Sequence, residues 1–191
     1  MDITIRRGMP ADARLLADLA ASTFRETFAD ENRPEDMALY VRSAYGVSQQ
    51  EAELANPEIM TLLAQVDGQL AGYAQLRAHA VPDCVRGSTP LELWRFYVAA
   101  PWHGRGVAHA LMNRVEMEAR AREAQTLWLG VWERNERAKA FYRKCGFRDV
   151  GSQVFVLGTD AQTDRIMVRS LPAAASACQR PGSAAHPDGS R

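Results

Sequence analysis

The dipeptide Asp67-Gly68 stands between two apolar runs, IMTLLAQV (residues 59–66) and QLAGYAQLR (residues 69–77), with nothing else separating them. A connection this short demands two positive-φ residues in a type I′ turn, so the runs must pair as an antiparallel hairpin. A parallel pair would need a long crossover, which excludes a chain built wholly of βαβ units. The other elements read outward from this hairpin. Residues 2–7 alternate about Ile3 and Ile5 as a strand, ended by Gly8 to Pro10. Residues 11–29 carry Leu15, Leu16, Leu19, Ala20, Phe24 and Phe28 at helical spacing. Pro34 opens a second helix with Met37, Tyr40 and Val41 on one face, where Met37 and Tyr40 are assigned to the core; residues 48–55 form a short third. After the hairpin come a strand LELWRFYV (Leu91 to Val98), a helix over 105–123 and a buried strand TLWLGVW (Thr126 to Trp132). A helix capped by Asn135 then ends at Gly146, before two closing strands, GSQVFVL and RIMVRSL. The predicted order β-α-α-α-β-β-β-α-β-α-β-β is an α/β arrangement: a mixed sheet with helices on both faces.

The chain's 191 residues suffice for one domain with a substantial core. We place that domain at residues 1–171. From Pro172 onward the Pro/Ala/Ser/Gly-rich segment lacks periodicity and is predicted to be a disordered tail, 172–191. Lys+Arg and Asp+Glu both number 23, and this balance argues against nucleic acid or a membrane surface as partner. No apolar run is long enough for a transmembrane helix, and the start lacks the apolar core of a signal peptide. Three scattered cysteines, Cys84, Cys145 and Cys178, suit a reducing, cytoplasmic setting. The four histidines show no metal-binding spacing, so no metal is expected.

The stretch most suggestive of chemistry is PWHGRGVAHALM (Pro101 to Met112), where a strand hands over to a helix through Gly104 and Gly106. The first N–H groups of a helix lack internal partners and sit at the positive end of its dipole. Glycines let a ligand approach them closely, and Arg105 adds a full charge. This describes a phosphate cradle. A P-loop would need Lys-Ser or Lys-Thr after its last glycine, and neither follows. A dinucleotide fingerprint would need glycine where His109 stands, inside a βαβ unit that the hairpin denies. A coenzyme A pyrophosphate loop and a plain helix start with glycines for packing remain.

Two sequence blocks together resemble the GNAT superfamily of N-acetyltransferases. In the first, HGRGVA, Gly106 and Ala108 fill the last two places of the family's loop signature, while His103 stands where Gln or Arg is usual. In the second, LWLGVWERNERAKAFYRKCGF (Leu127 to Phe147), Asn135, Ala138, Tyr142 and Gly146-Phe147 fall at the family's spacing. The resemblance spans residues 2 to about 171. Within the superfamily WLGVWERN, the stretch Phe155 to Asp164 and TFRETFADENRPEDM are similar to PaiA-type polyamine acetyltransferases.

This resemblance implies a mostly antiparallel sheet of about seven strands, its fourth and fifth splayed. It also implies acetyl-CoA as co-substrate, a small-molecule amine as acceptor and direct acetyl transfer, with a homodimer as an open assembly state. Cofactor contacts would come from Phe96, Tyr97 and Val98, which pair with the pantetheine arm as a strand would. A backbone N–H near Val98 would face the thioester oxygen. The pyrophosphate would take His103, Gly104, Arg105, Gly106, Val107 and Ala108, with Asn135, Ala138 and Tyr142 from the second block. Tyr142 is the candidate acid for the leaving thiolate. The attacking amine must be neutral, which costs an alkylamine about 4–5 kcal/mol at pH 7. Glu92, on the central strand beside Trp94 and Phe96, is the candidate proton acceptor, or else a carboxylate paired to an arginine such as Arg95 or Arg105. Phe24, Thr27 and Phe28, with Asp30 and Glu31 nearby, would border the amine. A non-catalytic acetyl-CoA-binding module and a protein or peptide N-acetyltransferase are the alternatives, the former opposed by the presence of Tyr142 and Asn135.

Overall fold

A computed structural model describes residues 1–172 of the chain, so the predicted tail lies outside the described residues from residue 173 onward. The strands are β1 (Ile3–Arg7), β2 (Ile59–Val66), β3 (Gln69–Arg77), β4 (Pro90–Val98), β5 (Thr126–Trp132), β6 (Arg148–Leu157) and β7 (Asp160–Ser170). The helices are α1 (Ala13–Phe28), α2 (Pro34–Ala44), α3 (Val47–Ala55), α4 (Val107–Ala121) and α5 (Glu136–Lys144). One seven-stranded sheet runs β1-β2-β3-β4-β5-β7-β6. Asp67 and Gly68 adopt φ of 48° and 83°, as a type I′ hairpin requires, and join β2 to β3. Every neighbouring pair is antiparallel except β4 and β5.

That parallel pair creates the site. β4 and β5 pair only at Pro90–Thr126, Leu91–Leu127 and Glu92–Trp128. Beyond Glu92, β4 stays bonded to β3 while β5 stays bonded to β7, so the two strands part and the sheet opens between them. Two apolar layers close its faces. On one, Leu111 and Met112 of α4 pack with Leu62, Leu76, Leu93 and Leu129 of the sheet, and α5 joins them through Tyr142. On the other, Leu16, Phe24, Met37, Val41, Tyr45, Leu63 and Tyr73 pack beneath α1 and α2. Each such fully buried side chain contributes about 1.5–3 kcal/mol of transfer free energy, which makes the sheet a rigid frame for its opening.

A bulge in β4 changes which side chains reach which face. Gln75 pairs with Arg95 but Leu76 pairs with Leu93, leaving Trp94 as the extra residue. Strict alternation would put Glu92, Trp94 and Phe96 side by side. Instead Leu93 and Phe96 both join the α4/α5 layer, and Tyr97 joins the α1/α2 layer. Arg95 packs against the ring of Tyr45 in the α1/α2 layer. Trp94 is held between two guanidiniums, Arg77 at 3.8 Å and Arg95 at 3.7 Å from its ring centre. Met37 is core as expected, but Tyr40 is only half-buried and its ring lines the opening, because Phe24 and Phe155 hold it there.

Candidate active site

The gap between β4 and β5 is a cavity of about 730 Å³ that passes from one face of the sheet to the other. On the α4/α5 side its wall includes Phe96, Val98, Gly104, Gly106, Ala108, Ala138, Phe141 and Tyr142. On the α1/α2 side it includes Phe24, Thr27, Phe28, Tyr40, Trp132, Phe155 and Asp164. A reaction between two ligands entering from opposite faces fits this shape.

The glycine loop is an open set of donors. Gly106 is the N-cap of α4 at φ 84° and Gly104 has φ 72°, left-handed values that cost other residues about 1–2 kcal/mol. Neither glycine has an atom within 4 Å of where a Cβ would be, so the space in front of them is clear. No side chain caps α4, and among the described residues the backbone N–H groups of Gly106, Val107, Ala108 and His109 have no acceptor. The Val107 side chain is fully buried, so only its backbone can serve a ligand. Arg105 has no ion-pair partner among the described residues and lies 5.6 Å from the Trp102 ring. These donors and this charge fit a pyrophosphate.

The loop continues into a free strand edge. Ala99 N–H donates to Ala71 O, so alternate residues Tyr97 and Arg95 turn their backbone groups to β3. Phe96 and Val98 therefore turn theirs to the gap, and Tyr97 reaches the cavity with its ring. His103 secures the junction. Arg137 Nη1 lies 2.7 Å from His103 Nδ1, and a guanidinium can only donate, so Nδ1 accepts. The ring proton is then on Nε2, which donates to Val98 O at 2.7 Å. His103 thus binds the end of β4 to the start of α5, and leaves the Val98 N–H free. Arg137, which also lines the cavity, escaped sequence reasoning because its contact crosses 34 positions.

From α5, Asn135 accepts the Ala138 N–H at 3.0 Å and caps the helix, as its position predicts. Ala138, Phe141, Tyr142 and Cys145 share one face of α5 on the apolar layer. Tyr142 is 7% exposed, yet its hydroxyl has no hydrogen-bond partner among the described residues and it lines the cavity. Burial, with Cys145 adding to it, pushes its pKa up, so the hydroxyl keeps its proton at neutral pH.

Glu92 does not stand beside Phe96, because the bulge turns them to opposite faces. Its partner is neither Arg95 nor Arg105 but Arg77, whose Nε donates to Oε2 at 2.5 Å. Arg95 instead holds Glu53. On the acceptor side, Phe24, Thr27 and Phe28 line the cavity as expected, but Asp30 and Glu31 are exposed and outside it, with Glu31 paired to Arg134 at 3.3 Å. Besides Glu92, the carboxylate lining it is Asp164, together with Gln153, Gln162, Trp132 and Phe155, none of which sequence reasoning placed there. The stretch Phe155 to Asp164 was conspicuous as a motif, but its side chains meet the cavity only through β5–β7 pairing.

The sheet is split at its one parallel pair, a helix N-terminus is open at the split, and a buried tyrosine stands beside it. The comparisons carry this to a family. A family model described as acetyltransferase (GNAT) family matches residues 16–147, and the chain belongs to that family. It is 35% identical over 153 residues to an uncharacterised N-acetyltransferase of Lactobacillus delbrueckii subsp. lactis, covering 80% of this chain and 88% of that one. It is 36% identical over 161 residues to one from Mycobacterium tuberculosis, covering 84% and 98%. Among solved structures, PaiA N-acetyltransferase from Thermoplasma acidophilum in complex with coenzyme A shares the fold at a TM-score of 0.74 and 22% identity, over 90% of this chain and 100% of that one.

Proposed function

We propose that the protein moves the acetyl group of acetyl-CoA onto a small primary amine by direct attack, without an acetyl-enzyme. The observation that carries this reading is one continuous surface: the open α4 N-terminus, the free edge of β4 and the Tyr142 hydroxyl line a single cavity. Relatives bear on it as well, since the similar proteins from two bacterial genera are named N-acetyltransferases, and a structure with the same fold carries acetyl-CoA.

Acetyl-CoA supplies the activated acyl group. The chain's residues do the rest. The N–H groups of Gly106, Val107 and Ala108, with Arg105, take the pyrophosphate. Phe96 and Val98 bond the amide-like arm as an added strand, and the spare Nδ2 of Asn135 can reach the same arm. The Val98 N–H, which strand alternation turns to the gap, faces the carbonyl oxygen as negative charge develops there. Tyr142 donates its proton to the departing thiolate, whose conjugate acid has a pKa near 8.5.

Mixing the full chain with acetyl-CoA and a panel of amines, with thiol release followed by a colorimetric reagent, tests the reading. Release that depends on both protein and amine is expected. Saturable acetyl-CoA binding without release on alkylamines, aminoglycosides, amino acids and peptides would instead mark a binding module.

A further inference from the structure

The α1/α2 side of the cavity is a box of aromatic rings around one carboxylate. Phe24 stacks on Tyr40 at 4.7 Å, Tyr40 meets Phe155 edge-on at 5.4 Å, and Phe28 meets Trp132 edge-on at 5.5 Å. Asp164, on β7 opposite Trp132 of β5 and Gln153 of β6, faces into this box. A Cβ on Gly130 would come within 3.1 Å of Asp164 Oδ2 and of Gln153 Nε2, so glycine there is what leaves the carboxylate room. Asp164 has no hydrogen-bond donor and no cation beside it among the described residues, and burial alone pushes its pKa up to about 6. Every other carboxylate of the cavity wall is engaged: Glu92 lines it with its oxygen on Arg77.

We infer that Asp164 is the acceptor-side catalytic residue: it binds the ammonium of a primary amine carried on an apolar stem, and takes its proton. The inference rests on the acetyl-transfer reading above and deepens it. A half-buried carboxylate without a cation, walled by aromatic rings, is matched by an ammonium, which gains both the charge and cation–π contacts. The apolar rings suit an alkyl or arylalkyl stem rather than a hydroxyl-rich one, whose polar groups would lose water without replacement. The ammonium gives one proton to Asp164, and the nitrogen pair then forms the C–N bond as the C–S bond breaks. The nitrogen loses a second proton, the thiolate takes one from Tyr142, and one proton in all leaves for water as both residues reset.

The nearest groups around Asp164 are uncharged, and the charged ones lie on the other side of the cavity. From α1, β5 and β6 it meets Phe28, Trp132 and Gln153, which carry no charge. From α2 it meets Tyr40, itself raised by burial and neutral at working pH. Across the cavity stand Tyr45, Tyr97, Tyr142, His103, His109, Arg137 and Lys144, with the paired Arg95–Glu53 and Arg77–Glu92. A base must be deprotonated to work, so kcat/KM should rise with pH through about 6.

The test uses the full chain, 2-phenylethylamine, and a fluoroalkylamine that is already neutral at the assay pH. Asp164→Asn should lower kcat/KM for phenylethylamine by about 10²–10³-fold and erase the rise near pH 6, while the loss for the neutral amine shrinks to under about tenfold. Acetyl-CoA binding should not change. Its Tm at pH 8 should equal or exceed that of the parent, because an ionised, half-buried carboxylate has been removed. An equal loss for both amines, or an unaltered pH profile in Asp164→Asn, overturns the assignment. A parent protein inactive on every amine would instead overturn the acetyl-transfer reading itself.

Discussion

Tyr142→Phe is expected to lower kcat by at least about 10²-fold, roughly 2.7 kcal/mol at the transition state, with acetyl-CoA affinity and Tm essentially unchanged. The ring of Tyr142 is packed among Phe96, Phe141 and Phe147, with centroids 5.6 to 6.2 Å away, and phenylalanine keeps all of those contacts. The hydroxyl has no partner to lose among the described residues, so a purely structural role predicts no loss of either stability or rate. Thiolate protonation predicts loss of rate alone. Measuring kcat beside acetyl-CoA binding and thermal unfolding separates the two. The effect should be smaller for an acyl donor with a more acidic thiol, which leaves without help.

The largest effect on stability is expected at the buried Arg95–Glu53 pair, whose arginine lines the cavity wall. Glu53 of α3 accepts from Arg95 Nη1 at 2.5 Å, from Gln75 at 3.0 Å and from Gln49 at 2.9 Å, and both charged side chains are 5% exposed or less. Glu53→Ala leaves the Arg95 guanidinium buried without its anion, which should cost about 3–5 kcal/mol. In a domain of this size that is a fall in Tm of about 6–20 °C by calorimetry or circular dichroism. Replacing both residues with methionine should recover most of the loss, since a buried pair is often no better than packed apolar groups. Arg95 also follows the bulged Trp94 and stacks on it, so the single variant should disturb β4 and weaken acetyl-CoA binding as well.

The element order was legible because each element carries its own local signal. Asp67-Gly68 forced the hairpin, Asn135 and Gly146 bounded α5, and Thr126 to Trp132 is β5 to the residue. The α4/α5 wall of the cavity was equally legible, since the loop Gly104 to Ala108 and the helix bearing Tyr142 are each a single stretch of sequence. The acceptor side was not. Alternation along LELWRFYV cannot reveal a bulge at Trp94, which is decided by pairing with β3, so the surroundings of Glu92 were misassigned. Asp30 and Glu31 looked suitable because they follow Phe28, yet they sit past the end of α1 in solvent. Asp164 reaches the cavity only through the register that sets Trp132 against it, across 32 positions of chain. Composition and periodicity carry no information about such a meeting.

The central claim is that both substrates occupy one cavity that crosses the sheet, and that the acetyl group passes directly between them. Initial rates measured over a grid of acetyl-CoA and amine concentrations test it most directly. Intersecting double-reciprocal lines, with no acetyl group left on the protein by intact-mass spectrometry in the absence of amine, are the expected result. Parallel lines together with an acetylated enzyme, on Cys145 or any other residue, would contradict it.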